Sequence, residues 1–165
     1  MHFTSLFTIL ALFTSTSMAA PPSVPFDTTV TYDNTYDNPT GSLNSVACSN
    51  GANGLVTKGY TTFNSLPNFP YIGGAQAVAG WNSTNCGSCW SLTYNGNNIY
   101  GKHSFINFPL EVLLSTRVLV TAIDTAGLGF NIAQEALDKL TDGHAVQFGK
   151  FNVTAVQVPA SKCGF

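Results

Sequence analysis

Charge is what this chain has least of. Only 14 of its 165 residues are Asp, Glu, Lys or Arg, about 8%, where a soluble domain ordinarily carries roughly a quarter. With six Lys and Arg and a formal net charge of −2, it has no basic cluster that could neutralise phosphates, and nucleic acid is excluded as a partner. Long apolar runs are also missing: the stretch Leu6–Phe13 is too short to span a bilayer, and no later segment reaches that length. Cysteine is sparse but even in number, at Cys48, Cys86, Cys89 and Cys163. Cys86 and Cys89 have the spacing of half a zinc site, but no second close pair and no His pair accompanies them. The isolated histidines form no ligand set, so neither metal nor cofactor is expected.

What is present is neutral and polar. Asn, Thr, Ser and Gly are abundant, a surface suited to an uncharged ligand such as a polysaccharide. Residues 1–19 read as a secretory leader, with the apolar Leu6–Phe13 followed by the small-x-small pattern Ser17-Met18-Ala19 and cleavage after Ala19. Residues 20–165 then form one extracellular domain. In an oxidising compartment the four cysteines make two disulfides, with three connectivities open.

Period-two and β-branched stretches predict strands at 28–32, 91–94, 117–124 and 150–158. Residues 33–41, rich in Asn, Asp, Pro and Gly, read as a loop; Gly73-Gly74 and Asn95-Gly96 read as turns. A helix is expected at 132–140, with Ile132, Ala136, Leu137 and Leu140 on one face, Asn131 as N-cap and Gln134 completing a capping box. A second short helix is signalled at 75–80. Many short strands with one or two helices point to a mainly β, compact barrel. Sequons occur at Asn82 (Asn82-Ser83-Thr84) and Asn152 (Asn152-Val153-Thr154).

Several blocks carry a resemblance. They include Tyr32-Asp33-Asn34, Tyr36-Asp37, Cys48-Ser49-Asn50-Gly51-Ala52-Asn53-Gly54-Leu55, Gly59-Tyr60-Thr61-Thr62-Phe63 and Leu66-Pro67-Asn68-Phe69-Pro70-Tyr71-Ile72-Gly73-Gly74. Further along come Gly80-Trp81-Asn82-Ser83, Cys86-Gly87-Ser88-Cys89-Trp90, Ala122-Ile123-Asp124, Gly129-Phe130-Asn131-Ile132 and Cys163-Gly164. In this order, with all four cysteines placed, the chain resembles the cerato-platanins, small secreted fungal proteins. The resemblance implies a six-stranded double-psi β-barrel of the expansin and barwin type, with bridges Cys48–Cys86 and Cys89–Cys163. It also implies a monomer that binds chitin or N-acetylglucosamine oligomers, loosens cellulose without hydrolysis and is recognised by plant hosts as an elicitor of defence. The location implied is extracellular and at the fungal cell wall.

Residues 101–119 depart from that pattern. Joining Tyr100 to Val120 restores a family-like run, Asn98-Ile99-Tyr100-Val120-Thr121-Ala122-Ile123-Asp124. Gly101-Lys102 can be encoded with a splice-donor sequence and Leu119-Val120 with an acceptor. The stretch is therefore read as a retained intron translated in frame, against the alternative of a genuine inserted hairpin or helix. His103 and Glu111 lie within it and receive no role.

Asp124 is the foremost candidate for the site: it ends an apolar strand and opens into Thr125-Ala126-Gly127, and on the resemblance it accepts hydrogen bonds from sugar hydroxyls. The competing reading is an acid that orders its own turn. Asn131, Asn53 and Tyr60 are further groove candidates, each with a cap, turn or core alternative. Trp81 and Trp90 read as core beside the cysteines, Lys58 and Lys150 as solvated charges. Glycoside hydrolysis ordinarily needs two flanking carboxylates, and no second acid is marked by the sequence, although Asp33 and Asp37 could approach the groove. The expected function is a non-catalytic wall-carbohydrate binder. The alternatives are a weak polysaccharide hydrolase or lytic transglycosylase on the same barrel, and a surface-active structural wall protein.

Overall fold

The structure is a computed structural model that describes residues 23–95 and 115–165. Six strands form a closed barrel: β1 (Phe26–Tyr32), β2 (Ile72–Ala75), β3 (Cys89–Tyr94), β4 (Thr116–Thr125), β5 (Phe130–Ile132) and β6 (Lys150–Val158). Their order around the wall is β1-β5-β2-β4-β3-β6, closed by the pairing of β6 with β1. The pairs β1/β5 and β2/β4 are parallel and the rest antiparallel. Closure leaves no open sheet edge among these strands.

The wall follows from side-chain periodicity. In β6, Phe151, Val153 and Ala155 are buried while Lys150 and Asn152 are exposed, the alternation of a half-buried strand. The middle of β4 is buried continuously from Val120 to Ile123, because both faces of that strand are covered. Val30, Ile72, Leu92, Phe130 and Ile132 fill the core. Trp90 stacks edge-on against Phe26 and Phe130, with ring centroids 6.1 and 5.4 Å away.

Four strands lie where the sequence indicates. Gly73-Gly74 does not form a turn; it lies inside β2, between β5 and β4. A Cβ on Gly73 would sit 2.4 Å from the Asn131 carbonyl oxygen, and one on Gly74 would sit 2.4 Å from that of Thr125. The pair is glycine because neighbouring backbones press on it, which a local reading of Gly as punctuation cannot detect. Residues 75–80 form no helix: Ala75 ends β2 and a turn follows.

The expected helix is α1 (Gln134–Thr141), with Ala136, Leu137 and Leu140 buried as anticipated. A second helix, α2 (Ala145–Phe148), follows directly. Asn131 does not cap α1, because it belongs to β5. Asp37 does so from the far side of the chain: its Oδ2 accepts from Gln134 N at 2.8 Å and its Oδ1 from Glu135 N at 2.9 Å. A carboxylate there satisfies two orphan donors and complements the helix dipole.

Both bridges are present, Cys48–Cys86 and Cys89–Cys163, with Cα–Cα separations of 5.3 and 5.7 Å. They close loops of 38 and 74 residues, and chain-entropy arguments assign each about 4 kcal/mol. Residues 1–22, which include the expected leader, and 96–114, which include Gly96, His103 and Glu111, lie outside the described residues. Thr116–Leu119, the last part of the 101–119 stretch, pair with Tyr94–Ser91 as the start of β4.

Candidate functional site

Strand register assembles the site. Asp124 on β4 pairs with Gly74 on β2, Gly74 with Asn131 on β5, and Asn131 with Thr31 on β1. Registered neighbours on adjacent strands point to the same face. The sequence neighbours Ile123, Phe130, Ile132 and Val30 are all buried, so this row faces outward. At the usual strand spacing it runs about 14 Å across the barrel wall. Gly74 contributes no side chain and can carry none, because the Thr125 carbonyl fills its Cβ position; it is buried between Asp124 and Asn131.

The polar groups of the row are held firmly. Thr31 Oγ1 donates to Asn131 Oδ1 at 2.9 Å. Asp124 Oδ2 accepts from Tyr36 Oη at 3.1 Å, and its Oδ1 accepts from Ala47 N at 3.0 Å and Thr125 N at 2.8 Å. Tyr36 is buried and packs against Phe63, centroids 6.2 Å apart. Burial pushes its hydroxyl well above the usual tyrosine range, and the charge and hydrogen bond of Asp124, then the charge of Asp33, push it further. The hydroxyl therefore remains a donor to Asp124 at any physiological pH.

Asp33 lies at the end of β1, donating its backbone N–H to the Ile132 carbonyl and accepting from Thr35 N at 2.8 Å. It is the second carboxylate near Tyr36, and Asp37 is engaged at the start of α1. Asp27 accepts from Thr154 Oγ1 at the other end of β1. Asp138 bridges the two helices by accepting from Ala145 N. Gln76 Oε1 accepts from Gly129 N at 2.8 Å, tying the end of β2 to the loop that follows Asp124. The result is an outward row offering carboxylate, amide and hydroxyl oxygens, fit to exchange hydrogen bonds with a neutral hydroxyl-rich ligand.

Asn53 and Tyr60 are held by other contacts. Asn53 N donates to Asn82 Oδ1 and Asn53 Nδ2 to the Asn82 carbonyl, both at 2.9 Å. Tyr60 meets the C-terminal Phe165 edge-on at 5.4 Å. Neither belongs to the Asp124 row. Lys58 and Lys150 are exposed. Trp90 is core, 6% exposed, but Trp81 is 65% exposed; a lone aromatic beside a cysteine does not reveal which side of the wall it occupies. Asn152 projects from the β1–β6–β3 wall into a depression of about 490 Å³, lined also by Asp27, Thr29, Thr93, Tyr94 and Thr154 and containing no member of the Asp124 row. Sequence reading missed Thr31 and Tyr36 as parts of the site, because their relevance depends on partners about 100 and 88 positions away.

The cerato-platanin family model matches residues 28–103 and 113–165. The chain belongs to the cerato-platanin family. The match is interrupted inside the atypical 101–119 stretch. Allergen Asp f 15 of Aspergillus fumigatus is 43% identical to this cerato-platanin over 99% of the chain and 97% of its own length. The crystal structure of cerato-platanin 2 from M. perniciosa superposes with a TM-score of 0.72 at 40% identity, covering 85% of this chain and all of that one. The solution structure of the fungal elicitor cerato-platanin gives a TM-score of 0.65 at 32% identity, covering 82% and 95% of the two chains. This cerato-platanin therefore shares a family with fungal proteins named as allergens and elicitors.

Proposed function

We propose that this cerato-platanin is a secreted, monomeric, non-catalytic binder of chitin-type N-acetylglucosamine oligomers. In this reading it acts at the fungal and plant wall, where it loosens cellulose as expansins do and elicits plant defence. The observation that carries the reading is the row Asp124–Gly74–Asn131–Thr31. It presents carboxylate, amide and hydroxyl oxygens at fixed spacing along one face of the barrel wall. The low charge of the chain suits an uncharged ligand, and the relative solved in solution is described as a fungal elicitor.

The geometry favours binding over cleavage. A glycosidase's acid must hand a proton to the leaving oxygen, yet both oxygens of Asp124 already accept from protein donors. Asp33 is likewise engaged by Thr35 N, and Asp37 by the N–H groups of Gln134 and Glu135 at the start of α1. Titration of N-acetylglucosamine oligomers against the wild type and Asp124→Ala, with reducing ends assayed in parallel, tests the proposal. Binding that falls about tenfold in Asp124→Ala, with no release of reducing ends, is the expected result. Sustained release from polymer by the wild type would favour the hydrolase instead.

A further inference from the structure

Of the two exposed large aromatic residues among the described residues, Phe148 and Trp81, Trp81 is the more exposed. Its side chain is 65% exposed, yet it is fixed: the indole N–H donates to Asn50 Oδ1 at 2.7 Å. The polar edge of the ring is thus satisfied by the protein, and the apolar ring is what remains for solvent. A freely exposed tryptophan has no need of such an anchor.

The loops beneath it are braced. Asn50 lies two residues from Cys48, and Trp81 lies five from Cys86, its bridge partner. Asn53 makes two hydrogen bonds to Asn82, which itself adopts a left-handed backbone at φ 59°. Gly51, at φ +92°, leaves the space that Asn82 occupies, since a Cβ there would come within 2.7 Å of Asn82 Oδ1. The indole is therefore presented by a rigid support, which limits the entropy lost when a ligand binds.

The surroundings identify the ligand class. Between Asn38 and Gly101 the only charged residue is Lys58, so an ionic partner finds almost no counter-charge. Trp81 is flanked by Gly80, Asn82 and Ser83 and rests on Asn50, without another exposed large apolar residue beside it in sequence. A stable contact between two protein copies buries about 1,200–2,000 Å², far more than one indole can supply. A single aromatic face rimmed by amides and hydroxyls matches a sugar, whose ring face is apolar and whose rim is hydroxyl.

We propose that Trp81 is a stacking platform for the ring face of an uncharged wall polysaccharide, built from different residues than the Asp124 row. It shares the ligand class of the proposed function but not its side chains, so failure at one place leaves the other standing.

The test compares wild type, Trp81→Ala and Trp81→Phe as full-length oxidised protein, each carrying Thr84→Ala so that no glycan at Asn82 lies beside the indole. Sedimentation with insoluble chitin and with microcrystalline cellulose gives the affinity for each polymer, and thermal melting checks the fold. We expect Trp81→Ala to weaken binding to at least one polymer about tenfold, Trp81→Phe to retain part of it, and the melting temperature to hold. Soluble hexamers of the two sugars should blue-shift the wild-type emission, because Trp90 is buried and Trp81 supplies the exposed signal. Asp124→Asn, read alongside, should lower affinity without removing that shift. The proposal is overturned if Trp81→Ala binds both polymers as tightly as wild type, or if wild type binds neither. Loss of a concentration-dependent dimer in Trp81→Ala, with polymer binding intact, would also overturn it and assign the indole to a second copy of the chain.

Discussion

The barrel wall and the long connection between β1 and β2, residues 33–71, are held in place by different means. The wall is a closed ladder of backbone hydrogen bonds around apolar side chains. The connection has only short 3₁₀ turns, at Asn34–Asp37, Leu43–Ser45 and Phe63–Ser65, and one isolated bridge between Ser42 and Thr62. Side chains satisfying nearby backbone hold it locally, as Asp33 does for Thr35 N and Ser42 for Asn44 N. Buried anchors, among them Leu43, Leu55, Phe63 and Leu66, pin it to the core. Unstructured connections of this length are uncommon in compact domains and usually carry function. The contrast locates the site: Asp124 comes from the wall, but two of its three donors, Tyr36 and Ala47, come from the connection.

If the two regions are held so differently, each can be loosened separately. The largest effect is expected from Cys48→Ser with Cys86→Ser, which unties the connection from the loop that leads into β3. A loss of about 4 kcal/mol should appear in urea unfolding, and amides of residues 43–60 should exchange faster than those of β1 and β6. Uniform loss of protection would show that the regions are one cooperative unit.

Tyr36→Phe keeps the ring against Phe63 and removes only the donor to Asp124. A hydrogen bond to a charged group is worth about 1.5–3 kcal/mol, a smaller loss than the bridge. Its pH dependence carries the sharper information. The hydroxyl's pKa is raised in the folded state, so the native protein keeps a proton that the unfolded chain releases near pH 10. That contribution is complete below pH 10 and is lost as pH rises toward the folded value. The urea midpoints of wild type and Tyr36→Phe should differ most at pH 7 and converge above pH 10; a constant gap would place the effect in packing.

Asp37→Ala should cost about 1 kcal/mol, the usual worth of a helix cap, by leaving the N–H groups of Gln134 and Glu135 without their carboxylate. Helical circular dichroism should fall slightly while oligosaccharide affinity stays within twofold. A larger fall in affinity would mean that α1 and the Asp124 row are coupled through Tyr36-Asp37.

Four of the six strands are legible in the sequence because alternating burial leaves a local trace: Phe151, Val153 and Ala155 declare the inner face of β6 unaided. The buried face of α1 was legible for the same reason. Asn131 as a cap and Gly73-Gly74 as a turn were misread because their surroundings come from distant chain. In one case β1 and β2 claim the residue for a strand; in the other, two carbonyls fill the space where a Cβ would go. Asp124 was legible as an acid at a strand end, but not its engagement with Tyr36 and Ala47.

A neutral, disulfide-capable β domain, its family and most of its strands can be read along the chain, since composition, periodicity and motif order are properties of neighbouring residues. It takes the folded barrel to set Asp124, Gly74, Asn131 and Thr31 in one row, to bring Asp37 to the start of a helix begun at Gln134, and to make one tryptophan core and the other solvent-facing. Those outcomes depend on barrel register and closure, which bring together residues far apart along the chain.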